Sequence, residues 1–207
     1  MATAITTTTR KQTQPSYEGP APYKLTVRQF EKMIDAGVFP DDASVELLGG
    51  ILVEQMTKNP PHDFCIEHLS DVLKALSLDN LRVREEKSAE LGENWCPEPD
   101  ISVVRGPKDR YRKTRPGPKD IVLLVEVSES TYSIDRVVKW HGYAAARIPV
   151  YWIVNLSSRI VEVYSNPSGR GKTARYRDSA AFGPGEQVTV VIENIEVGKV
   201  AVDSFLP

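Results

Sequence analysis

Apolar positions along this chain recur with several distinct spacings, each predicting a different element. After Thr26, the residues Phe30, Met33 and Ile34 stand three and then one apart. That spacing lines one face of a helix, with Thr26 as its cap and Gly37 as its end. The stretch SVELLGGILVEQM carries two short apolar runs around Gly49 and Gly50. It predicts a hairpin, because both turn positions accept positive φ. Beyond Pro60 and Pro61, residues Phe64, Ile66, Leu69, Val72, Leu73 and Leu76 return to a largely helical pattern, so a second helix starts near His62. LRVREEKSAEL reads as one or two strands and ISVV at 101–104 as another. IVLLVEV at 121–127 is almost unbroken apolar, the mark of a central strand covered on both faces. A third helix follows from Ser130 or Ser133 to Arg147, then the strands PVYWIVN and RIVEVYS, with Tyr151 and Trp152 as sheet core. The last forty residues hold weaker strand signals. This order predicts an α/β (α+β) fold, a sheet with helices on its faces, and not a doubly wound nucleotide fold.

Composition narrows the class. The chain has 207 residues, enough for one domain. Residues 1–22 are rich in Thr, Pro and Gln and read as a disordered tail, leaving 23–207 as a single domain. Hydrophobic residues are 41% and charged residues 26%, which excludes a wholly disordered protein. The formal charge of −2 argues against a globally basic nucleic-acid coat but leaves room for a local basic patch. Two cysteines, Cys65 and Cys96, are too few for a disulfide framework. No apolar run approaches the ~20 residues of a membrane span, and the N-terminal stretch lacks a signal-type core. The expectation is a soluble, cytoplasmic protein with no membrane partner.

Candidate chemistry lies in the carboxylates. There is no phosphate-binding glycine loop of the GxxxxGK type, no GxGxxG after a strand and no GxSxG elbow. His62, Cys65 and His68 stand three and six apart, so on a helix they splay around the axis; Cys65 reads better as a small core residue than as a zinc ligand. Glu126 is different. It sits inside the most hydrophobic strand, where a charge is costly unless it is paired or binds a metal. Asp100 opens a strand after Pro99, Glu46 lies in the hairpin, and Lys139 follows Asp135 by one turn on the next helix. Such a set could hold Mg²⁺, a hard ion that prefers oxygen, with a lysine to steady a phosphate. Each residue but Glu126 also has an ordinary reading: Asp100 as a turn former, Glu46 as an exposed hairpin residue, Asp135 and Lys139 as a solvated ion pair.

VELLGGILV, a histidine after a Pro-rich turn, PEPDISVV, LLVEVSEST, DRVVK and PVYWIVN, in this order, resemble the Uma-type restriction endonuclease family of the PD-(D/E)xK nuclease superfamily. The resemblance spans roughly residues 23–165. It implies a restriction-endonuclease-like core, a mixed central sheet flanked by helices. It implies hydrolysis of phosphodiesters with Mg²⁺ or Mn²⁺ as cofactor. Asp100 would be the PD aspartate, Glu126 the second acid, and Glu46 the acid from the first hairpin region, all three as metal ligands. The superfamily lysine stands two residues after the second acid; here that position is Ser128, and Lys139 on the following helix is the candidate. Gly49 is a second departure, where the family usually has an acid. His62 matches a recurrent family histidine, either contacting substrate or capping its helix.

One segment suits a nucleic-acid partner, DNA by the resemblance. Between the PD strand and the EVS strand runs RGPKDRYRKTRPGPKD, with Arg105, Lys108, Arg110, Arg112, Lys113, Arg115 and Lys119 against Asp109 and Asp120. Its Gly and Pro predict a mobile loop anchored at the site, able to neutralise phosphates, with Tyr111 free to stack on a base. RGKTARYR at 170–177 is a second basic cluster. A twofold homodimer would supply the two sites that double-strand cleavage needs. The competing expectation is a nuclease-fold protein, weak or inactive in catalysis, that binds nucleic acid or regulates a partner.

Overall fold

The computed structural model describes residues 20–55, 58–76 and 80–207; most of the expected N-terminal tail lies outside the described residues. The first helix, α1 (Val27–Asp35), is closed by a capping box: the Gln29 backbone N–H donates to Thr26 Oγ1, and the Thr26 N–H donates back to Gln29 Oε1 at 2.9 Å. Only Val27 and Phe30 are buried, while Ile34 is exposed, so the expected apolar face is used only in its first half. That half packs on the hairpin of β1 (Val45–Leu48) and β2 (Ile51–Glu54), turned by Gly49 and Gly50 at φ +60° and +82° as expected.

Helix α2 (Pro60–Ala75) begins two residues earlier than His62, because Asn59 caps it through the His62 N–H at 3.1 Å and proline suits the first turn. Its buried face is Cys65, Ile66, Leu69 and Leu73. Phe64 is exposed, contrary to the apolar pattern, and stacks on the equally outward His68 ring.

The main sheet has six strands in the order β3 (Leu81–Glu85), β4 (Ile101–Arg105), β5 (Ile121–Ser128), β6 (Val150–Asn155), β7 (Ile160–Ser168), β8 (Arg175–Phe182). It is mixed: β5 and β6 run parallel and the other neighbours antiparallel. All eight residues of β5 are buried, as its apolar run predicts for a covered central strand. One face packs on α2, on the hairpin of β9 (Gln187–Ile192) and β10 (Ile195–Ala201), and on Phe205 and Leu206. The other packs on the β5–β6 crossover, a π-helical turn (Ile134–Lys139) running into α3 (Trp140–Ala145). Tyr151 and Trp152 are core, as expected. No helix among the described residues is long and apolar enough to cross a membrane.

Candidate active site

Strand register brings the acids together. Ile101 pairs with Val125, so Asp100, the residue just before β4, falls beside Glu126 on β5. The Val127 N–H donates to Asp100 Oδ2 at 2.7 Å and fixes that carboxylate against β5. Glu126 and Ser128 point to one face while Val125 and Val127 point into the opposite core cluster, the two-residue alternation of a strand. The first hairpin docks on the segment leading to Asp100 through paired bonds between Leu47 and Cys96. That docking lets Glu46 Oε1 accept from the Glu98 N–H at 2.6 Å.

Lys139 enters from the crossover. Bonding from the Trp140 N–H back to the Asp135 carbonyl, five residues earlier, widens the helix at this turn. Asp135 and Lys139 both point inward as a result, and both are buried. The Lys139 ammonium lies 3.0 Å from Glu126 Oε2, 3.1 Å from Glu46 Oε1 and 3.8 Å from Asp135 Oδ1. Tyr143, one turn on, donates its hydroxyl to Glu126 Oε1 at 2.6 Å. Asp135 Oδ2 accepts from Ser128 at 2.6 Å and from Thr131 at 2.7 Å.

Three buried carboxylates thus share one buried ammonium, with a fourth, Asp100, beside them. Burial pushes the Glu126 carboxyl well above the ordinary glutamate range; Lys139 pulls it down, and Asp135, Asp100 and Glu46 push it up again. Burial likewise raises Asp135, against Lys139, Ser128 and Thr131. Burial alone would lower Lys139, but the charges of Glu126, Glu46, Asp135 and Asp100 outweigh it and hold the amine protonated. At the rim, His62 Nε2 lies 3.5 Å and Lys58 Nζ 4.0 Å from Asp100 Oδ1. Burial works against a charge on His62, and the contact with Asp100 overcomes it, so its affinity for a proton is raised. These groups line an open cleft of about 130 Å³ with Gln55, Glu98, Glu129 and Thr131. Among the described residues no three His, Cys, Asp or Glu side chains converge as a ready-made metal cage. Glu46, Glu126 and Asp135 turn to Lys139 instead.

Glu46, Asp100, Glu126, Lys139 and His62 are therefore gathered at one place. The basic loop is placed differently. It leaves β4 at Arg105 and enters β5 at Ile121, the strand ends opposite to Asp100 and Glu126, so its ends are not anchored at the acids. It is also tied down rather than free. Arg105 pairs with Glu193, Arg110 with Asp120 and Arg115 with Glu31. Tyr111 donates to the Arg105 carbonyl, and its ring carries the guanidinium groups of Arg84 and Arg110, so it is not open for stacking. His62, Cys65 and His68 do not converge: Cys65 is buried in the core while His68 bonds outward to the Phe64 carbonyl. Sequence reading missed Lys58 and Glu98, which no local pattern marks. Tyr143, four residues after Lys139, reads from the sequence as either closing the site or packing under the sheet; it is buried and bonded to Glu126.

Comparison with known proteins agrees with this architecture. A family model described as "Uma2: Putative restriction endonuclease" matches residues 27–198. No curated protein matches the chain. A crystal structure titled as a "putative nuclease belonging to DUF820", from Anabaena variabilis ATCC 29413, superposes with a TM-score of 0.60 at 13% identity, covering 88% of this chain and 97% of that one. At that identity the likeness shows the fold, the restriction-endonuclease-like one.

Proposed function

This chain belongs to the family described as "Uma2: Putative restriction endonuclease", and we propose that it is a metal-dependent endonuclease hydrolysing phosphodiester bonds of DNA. The observation that carries the reading is the buried cluster of acids, Glu46, Asp100, Glu126 and Asp135, with Lys139 as the one buried cation among the described residues. Buried charges are costly unless compensated, and a divalent cation is the compensation that fits hard oxygen donors. The residues fit in donor type and in charge. Asp100, Glu126 and Glu46 would hold Mg²⁺ or Mn²⁺. Bound there, the ion would supply Lewis acidity and a water nucleophilic at neutral pH.

The chain's own groups do the positioning. Tyr143 and the Val127 N–H hold Glu126 and Asp100 in single orientations, so little reorganisation accompanies reaction. The Lys139 ammonium, restrained by carboxylates on several sides, would meet the negative charge that develops on the phosphoryl oxygens. His62, whose affinity for a proton the Asp100 contact raises, stands at the mouth.

The test is plasmid cutting at low salt by wild type and Glu126→Gln, with Mg²⁺, with Mn²⁺ and with EDTA. Cutting by wild type alone, and only with metal, is the expected result. One observation favours a second reading: Lys139 occupies the place among the acids that an ion would need. If clean wild type binds DNA and never cuts it, the chain is a nuclease-fold binding or regulatory protein.

A further inference from the structure

The structure sorts the basic residues of the β4–β5 loop into two groups. Arg105, Arg110 and Arg115 are consumed in ion pairs with Glu193, Asp120 and Glu31. Arg112 and Lys113 are exposed and form no ion pair among the described residues. They face Arg84 and Lys87, from β3 and the turn after it, across a cleft of about 570 Å³ that Ser88, Glu90 and Tyr111 also line. Arg84 and Lys87 likewise form no ion pair among the described residues, and Arg84 Nη1 is buried with no hydrogen-bond partner. Of the cleft's acids, Glu31 is already bound to Arg115, which leaves Glu90 alone against four unpaired cations.

A single hydrogen bond links the wall of this cleft to the acidic one. Ser88 Oγ, on its wall, donates to Glu98 Oε2 at 3.3 Å, and Glu98 lines the acidic cleft, its N–H on Glu46. We propose that Arg84, Lys87, Arg112 and Lys113 form a track for the DNA phosphate backbone on one side of the bond held at the acidic cluster. The ligand's identity rests on the nuclease reading. The chemistry of the track is its own: separated cations and no free aromatic face. Such a surface takes a chain of spaced anions and ignores base sequence.

The experiment is anisotropy of a short fluorescein-labelled duplex DNA across a salt series in EDTA. Arg112→Ala/Lys113→Ala is compared with Lys24→Ala/Lys199→Ala, which removes the same charge from exposed residues outside both basic segments. The track variant is expected to bind about tenfold more weakly and to lower the slope of log affinity against log salt by about two units. The remote variant should match wild type. Equal losses in both variants, no loss in the track variant, or no DNA binding by wild type would each overturn the proposal. The two readings separate cleanly. Track-dependent binding without metal-dependent cutting refutes the nuclease reading and leaves the track. Glu126-dependent cutting with a track variant that binds and cuts like wild type removes the track and leaves the nuclease.

Discussion

Removing Lys139 should cost far more stability than removing any one of the acids it serves. Its ammonium lies 3.0, 3.1 and 3.8 Å from the oxygens of Glu126, Glu46 and Asp135. At an effective dielectric near 20, each contact is worth roughly 4–6 kcal/mol before the desolvation of both charges is subtracted. Lys139→Met keeps the volume and removes the charge, leaving four buried carboxylates with no buried cation. Breaking a buried pair in this way costs about 3–5 kcal/mol. Glu126→Gln leaves Lys139 facing Glu46 and Asp135, preserves an acceptor for Tyr143 and removes one repelling charge. It should stay within about 1 kcal/mol of wild type. Urea unfolding in EDTA at neutral pH measures both. In thermal scans each kcal/mol moves the midpoint of a chain this size by about 2–4 °C. The pH dependence carries a sign. Glu126 and Asp135 are raised, so the folded state holds protons that the unfolded state releases near the ordinary carboxylate range. Stability of the metal-free protein therefore falls as pH rises above about 4.5, and Glu126→Gln should flatten that fall. A Lys139→Met protein as stable as wild type at neutral pH would refute this account, as would a Glu126→Gln protein less stable than Lys139→Met.

Tyr143→Phe should fold normally and cut DNA about tenfold more slowly, because Glu126 loses the hydroxyl that orients it; single-turnover cleavage against Tm separates the two effects. At Gly142 an added Cβ would stand 2.2–2.6 Å from the Trp95 ring, so Gly142→Ala should displace that indole and cost about 1–3 kcal/mol, seen as a shifted tryptophan emission and a lower urea midpoint. Burial pushes the Cys65 thiol to about 12 and Cys96 to about 11. Neither should react with a disulfide reagent at pH 8 until the chain unfolds, and rapid native-state labelling would contradict their placement in the core.

How much was legible beforehand follows from what each residue depends on. The hairpin at Gly49 and Gly50 and the buried run of β5 rest on local backbone chemistry and unbroken apolarity, and both stand as read. Phe64 and Ile34 fit helical periodicity yet are exposed, because periodicity says which face is apolar and not how far the neighbouring layer extends over it. Glu126 was conspicuous because a charge inside an apolar strand contradicts its flanks. Asp100 and Glu46 join it only through strand register and hairpin docking, which are long-range facts. The basic loop shows the same limit. Its charge is visible in sequence, but its partners Glu31 and Glu193 lie more than seventy residues away, and they decide which arginines are spent on folding.

The lysine's shift from strand to helix has a physical account in Ser128. Ser128 stands two residues after Glu126, so its side chain points to the same face and toward the same acids. A lysine there would spring from the strand beneath the cluster. The serine instead spends that direction on a 2.6 Å bond to Asp135. Asp135 is thereby turned so that its other oxygen lies 3.8 Å from Lys139. The turn between residues 135 and 139 is widened by the Trp140 N–H bonding back to the Asp135 carbonyl, and both side chains are buried on its inner face. Serine, aspartate, widened turn and lysine are therefore one device that returns an ammonium to 3.0 Å from Glu126. If so, Ser128→Ala should act through Lys139. It would disturb the pH dependence of cleavage more than the stability of the fold, and a fall in stability with an unchanged pH profile would reduce Ser128 to a packing residue.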